Sequence, residues 1–103
     1  MDLVVEVYKL TDKYPRSELF VLTSHTRKTS ISIPSNIAEG RRRYTRKEYR
    51  RFLSIAFASG AELETQIEIA KKLSYCQKTQ FKDVDSLLDE VMRILNVMIS
   101  KLK

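Results

Sequence analysis

The chain has 103 residues, enough for one domain (residues 1–103) with a modest core, and its two glycines and two prolines cannot supply the turns of a sandwich or barrel. The formal net charge is +6, and the single cysteine, Cys76, excludes an intrachain disulfide and suits a reducing cytoplasm. No signal peptide or bilayer-spanning run is read; apolar stretches such as "IAFASGA" fall far short of the ~20 residues a membrane requires.

Four helices are predicted, with few connections. The first covers Asp2–Lys13 and sets Leu3, Val4, Val7, Tyr8 and Leu10 along one side, with Pro15 at or just after its end. The second covers Arg16–Glu39 and offers Leu19, Phe20, Leu22, Ile33, Ile37 and Ala38 to the core. Its middle, "TSHTRKTSISI", is rich in hydroxyl and β-branched residues, so a short strand competes with the helix there. Pro34 is expected to bend this helix, Asn36 and Glu39 to satisfy backbone groups freed by the bend, and Gly40 to stop it in a left-handed conformation.

The third helix starts at a T-x-x-E capping box, Thr45 and Glu48, and continues for about 29 residues. Phe52, Ala56, Ser59, Leu63, Gln66, Ala70 and Leu73 recur at alternating spacings of four and three, which is a bundle seam, flanked by Leu53, Ile55, Phe57, Gly60 and Ile67. The pattern breaks near Ser74–Lys78. The fourth helix, Lys78–Leu102, is amphipathic, with Phe81, Val84, Leu88, Val91, Leu95, Met98, Ile99 and Leu102 on one face. The expected architecture is an all-α, antiparallel up-down four-helix bundle with a shortened first helix.

The connection between the second and third helices holds the charge. Arg41, Arg42, Arg43, Arg46, Lys47, Arg50 and Arg51 stand against Glu48 alone, so the whole formal excess lies in eleven residues. Tyr44 and Tyr49 are interleaved and offer stacking surfaces. Lys47, Arg50 and Arg51 point away from the seam. Positive charge near a helix N-terminus is slightly unfavourable, so local stability does not account for the block. Phosphate contact, docking of an acidic protein, and a plain solvated surface all remain open. Glu62, Glu64 and Glu68 lack the Glu-x-x-His pairs of a bundle di-metal site, so Glu62 or Glu64 is expected to pair with Arg27 or with an arginine of another subunit. His25, the lone histidine, is read as a satisfied polar residue and Cys76 as a small core filler. No glycine-rich phosphate loop, nucleophile elbow or zinc spacing occurs, so neither an enzyme nor a cofactor is expected.

The segments "SIPSNIAEG" (Ser32–Gly40) and "FLSIAFASGAELET" (Phe52–Thr65) resemble the four-helix-bundle family of bacterial 23S ribosomal RNA intervening-sequence proteins, and the likeness extends over about Val7–Leu102. The chain is also similar to the accessory variability determinant of diversity-generating retroelements. The resemblance implies homopentamers, contact with nucleic acid and a protein partner, and no enzymatic activity. Family members usually open with a longer first helix containing a tryptophan, whereas this chain starts near that helix's middle, and Ser74 stands where the family commonly has glycine. The combined expectation is a non-enzymatic homo-oligomer binding RNA or other nucleic acid non-specifically through Arg41, Arg42, Arg43, Tyr44, Arg46, Lys47, Arg50 and Arg51. The rival is an oligomeric scaffold that docks an acidic protein.

Overall fold

The first apolar stripe forms helix α1, Asp2–Thr11, which buries Leu3, Val7 and Leu10. It is one of four helices in a computed structural model that describes residues 1–103 and contains no strand. Two short turns follow α1, a 3₁₀ turn at Arg16–Glu18 and a π turn at Leu19–Thr23, before α2 runs over Ser24–Arg41. Helix α3 is Arg46–Lys72. Helix α4, Lys82–Lys101, is entered through a 3₁₀ turn at Lys78–Phe81. Short connections reverse the chain each time, giving the up-down bundle; at 43 × 23 × 19 Å its long axis matches the ~40 Å expected of a 27-residue helix. One hydrophobic cluster draws on all four helices, with Phe81, Leu53, Leu63, Ile67, Leu95, Val7 and Val84 almost fully enclosed. No helix is long and apolar enough to cross a membrane.

The second element differs most from its sequence pattern. The helix starts late, at Ser24, and the apolar residues ahead of it divide: Leu22 packs on the core while Leu19, Phe20 and Val21 are exposed. Four apolar residues in succession cannot share one helix face. The helix, not the competing strand, occupies "TSISI", and its buried stripe is Thr26, Thr29, Ser30, Ile33 and Gly40. The hydroxyls tolerate burial because each lies against a carbonyl of the preceding turn: Thr26 to Leu22 (2.7 Å), Thr29 to His25 (2.8 Å) and Ser30 to Arg27 (2.8 Å). Small side chains bring α2 close to α3, and this is the most extensive helix–helix interface in the molecule.

Gly40 is not a left-handed stop. No glycine has positive φ, α2 continues to Arg41, and Arg42 closes it in right-handed geometry. Gly40 is required for proximity instead: a Cβ there would lie 2.9 Å from Phe52 Cβ and 3.0 Å from Tyr49 Cδ1. Asn36 donates from Nδ2 to the Ser32 carbonyl at 2.7 Å, one turn back, rather than to the Ser30 carbonyl that Pro34 leaves without its amide, and the helix passes unbroken through the proline. Glu39 plays no part there; its carboxylate pairs with Arg43 at 2.6 Å.

The seam of α3 buries Phe52, Ala56, Leu63, Gln66 and Ala70, together with Leu53, Gly60 and Ile67, but Leu73 is exposed. Neither Glu62 nor Glu64 forms an ion pair within the chain. Arg27 instead donates from Nε to Thr11 Oγ1 (2.9 Å) and lies over the Tyr8 ring, while Glu62 Oε1 sits 3.1 Å from the Thr29 hydroxyl. Gln66 Nε2 also donates to that hydroxyl, at 3.0 Å, so a small polar network crosses the α2–α3 interface. At the far end of α3, the Tyr75 amide bonds the Ala70 carbonyl and the Ser74 amide bonds that of Lys71, both at 3.1 Å, a Schellman closure with Ser74 at φ 55°. Lys71 then bridges to Asp85 of α4 at 2.7 Å, and that contact raises the ammonium pKa above its ordinary value. Cys76 packs against the core with its thiol toward the Leu10 carbonyl, and burial raises its pKa.

Candidate nucleic-acid interface

The α2–α3 connection, Arg42–Thr45, and the first turns of α3 carry the basic block at one end of the bundle. Thr45 caps α3 by accepting the Glu48 amide at 3.1 Å. The reciprocal half of the expected capping box is absent, because the Glu48 carboxylate turns to Arg51 Nε, also at 3.1 Å.

The seven cations separate into three groups. Arg43 and Arg51 are ion-paired on the surface with Glu39 and Glu48, and their guanidinium carbons lie 4.8 and 4.7 Å from the centre of the Phe52 ring. Such exposed pairs contribute little stability, but together with the ring they hold two guanidiniums in place. Arg46 and Arg50 reach across to the end of α4: Arg46 Nη2 donates to the Lys101 carbonyl at 2.8 Å, and Arg50 Nε to that of Ile99 at 3.3 Å. These are carbonyls of the last helical turn, where the α4 dipole is negative, so cations there are favourable by about 0.3–1 kcal/mol each. The N-terminal penalty inferred from sequence is thus offset by a neighbouring helix that sequence alone does not place there. Arg41, Arg42 and Lys47 form the third group; all are exposed, with no hydrogen bond or ion pair to the rest of the chain.

The two tyrosines also part. Tyr49 packs against the core, whereas Tyr44 is fully exposed at the tip of the connection. The sequence-predicted residues therefore resolve into an outer set, Arg41, Arg42, Tyr44 and Lys47, and an inner set, Arg43, Arg46, Arg50 and Arg51, which braces the bundle end. Chemically, the outer set combines three exposed, unpaired cations with an aromatic face.

The model of the 23S rRNA-intervening sequence protein family matches residues 1–97, and no curated protein is similar enough to match. A match over nearly the whole chain, on a helical bundle of this order, settles its kinship: the chain belongs to the 23S rRNA-intervening sequence protein family.

Proposed function

We propose that this protein is a binding module without catalytic activity, which self-associates in the cytoplasm and engages RNA or other nucleic acid non-specifically through the basic connection. One observation carries the reading: Arg41, Arg42 and Lys47 have no partner in their own chain and lie within three residues of a tyrosine that is fully exposed. A solvent-facing aromatic ring among unpaired cations suits a flexible strand, whose phosphates meet the cations while a base stacks on Tyr44. Exposed Val5, Ile94 and Val97 on the outer sides of α1 and α4 support self-association, which would repeat the site and raise avidity.

The test is fluorescence anisotropy with a short single-stranded RNA. Three contacting cations give a log–log salt slope of about −2 for a single strand, against about −5 if all seven took part. Reversing Arg41→Glu, Arg42→Glu and Lys47→Glu together should abolish binding with helicity unchanged by circular dichroism. Equal RNA affinity in that variant, or affinity indifferent to salt, would overturn the proposal. Light scattering reads the subunit number, and a single-subunit mass would remove the avidity.

A further inference from the structure

We propose that the groove between α1 and α2 beside Phe20 receives an acidic amphipathic helix of a protein partner. This surface is separate from the basic connection: Ile31 and Arg41 are ten positions apart on α2, about 15 Å of helix.

The groove has a volume of about 290 Å³, and its apolar walls are Tyr8, Leu19, Phe20 and Ile31. The π turn at Leu19–Thr23 creates it. That turn directs Leu22 and Thr23 inward and leaves Phe20 outside, 88 % exposed, more than any other phenylalanine of the chain. A large aromatic presented this openly beside three other exposed apolar residues forms a continuous patch, unlike the scattered single apolar residues normal on any surface.

The charge around the patch identifies its occupant. Of the groove-lining residues Arg27 and Lys28 are cationic and none is acidic. Lys28 makes no ion pair or hydrogen bond. Arg27 is anchored by Nε on Thr11 and by its stack on Tyr8 at 4.7 Å, which leaves both terminal nitrogens unpartnered and fixed in direction. A complementary surface carries apolar side chains in a row with carboxylates on one flank. The α2 side of the groove is set by Ser24, Arg27, Lys28 and Ile31, a run of about two turns, and such a trough parallel to a helix suits a second helix reading out at i, i+3 or i+4, and i+7. Nucleic acid fits less well. A base could stack only on Phe20, since Arg27 covers the Tyr8 ring, and a strand would leave the aliphatic Leu19 and Ile31 unmatched.

The experiment pans the intact chain against a phage-displayed library of random dodecapeptides. Peptides combining aromatic or aliphatic anchors with Asp or Glu should be enriched. Their affinity should fall by roughly tenfold or more in Phe20→Ala and in Lys28→Glu. It should be unchanged in the Arg41→Glu, Arg42→Glu, Lys47→Glu variant, which isolates this surface from the proposed RNA site. Phe20 contributes nothing to the core, so its replacement preserves the fold, and circular dichroism verifies that. Basic or absent winners, or winners that bind Phe20→Ala equally well, would overturn the proposal. So would a subunit number that drops in Phe20→Ala, which would assign the groove to a second copy, or RNA affinity lost in Phe20→Ala, which would assign it to nucleic acid.

Discussion

Replacing Gly40 by alanine sets two opposing effects against each other. In a helix interior alanine is favoured over glycine by about 1 kcal/mol, so a glycine without a packing role should yield a more stable protein. Here the new methyl would stand 2.9 Å from Phe52 Cβ, 3.0 Å from Tyr49 Cδ1 and 3.4 Å from the Tyr49 carbonyl oxygen. Carbon atoms in contact sit about 3.5–4.0 Å apart, so α2 and α3 must part by roughly 0.6–1 Å. Phe52 Cβ is fixed to the α3 backbone and cannot swing aside, and its ring lies beneath the Arg43 and Arg51 guanidiniums. Overpacking of this kind costs about 1–3 kcal/mol. The net expectation is a loss of about 1 kcal/mol, seen as a fall in Tm of about 4–8 °C in thermal unfolding followed by circular dichroism. Gly60→Ala provides the contrast: the nearest neighbours of its methyl are all atoms of the Met92 side chain, whose flexible thioether can reorient, so that variant should be close to neutral. A Gly40→Ala protein that melts several degrees higher than the parent would refute the close-approach account.

Other outcomes follow from the same geometry. Ser74→Gly should stabilise by about 0.5–1 kcal/mol in chemical denaturation, because φ 55° strains any residue with a Cβ and glycine's extra unfolded-state freedom offsets only part of that relief. The Tyr14 hydroxyl is buried without a partner, and burial, with Cys76 adding to it, raises its pKa far above the ordinary 10.0. The folded state therefore favours the neutral phenol, so its contribution is full below pH 10.0 and is lost as pH rises beyond it. Tyr14→Phe should unfold less readily at high pH while remaining near-neutral in stability at pH 7, as read by denaturation at both values. Arg46→Gln with Arg50→Gln should lower stability by no more than about 1 kcal/mol, because the lost charge at the α4 terminus is partly offset by relief at the α3 N-terminus, and should slow RNA association more than it shortens the complex's lifetime, as thermal melts and stopped-flow anisotropy on one preparation would show.

Much of the bundle was legible because its signals were local. Thr45 marked the start of α3 correctly, and the periodic stripes of α3 and α4 are the ones that pack. The second helix was harder to read because its buried face is written in hydroxyls: Thr26, Thr29 and Ser30 look like surface residues until their carbonyl partners in the previous turn are seen. Gly40 was found but assigned the wrong task, since a glycine at a helix end and a glycine under a neighbouring helix look alike in one dimension. The arginine block showed its strength but not its division. Which guanidinium faces water and which faces the last carbonyls of α4 depends on contacts between residues about 50 positions apart, and no local pattern encodes them. The exposed Phe20 had left a trace in Leu19–Phe20–Val21–Leu22, a run too apolar for one face to enclose.

The two arginines that reach α4 bond to neutral carbonyls, so their charge is held in place but not cancelled. Only Arg43 and Arg51 are balanced, by Glu39 and Glu48. An approaching polyanion therefore senses at a distance a field from more charges than it can grip on arrival. If the proposed nucleic-acid binding holds, capture should be hastened by the whole cluster and weakened by added salt, whereas the lifetime of the complex should depend on the few unpaired side chains.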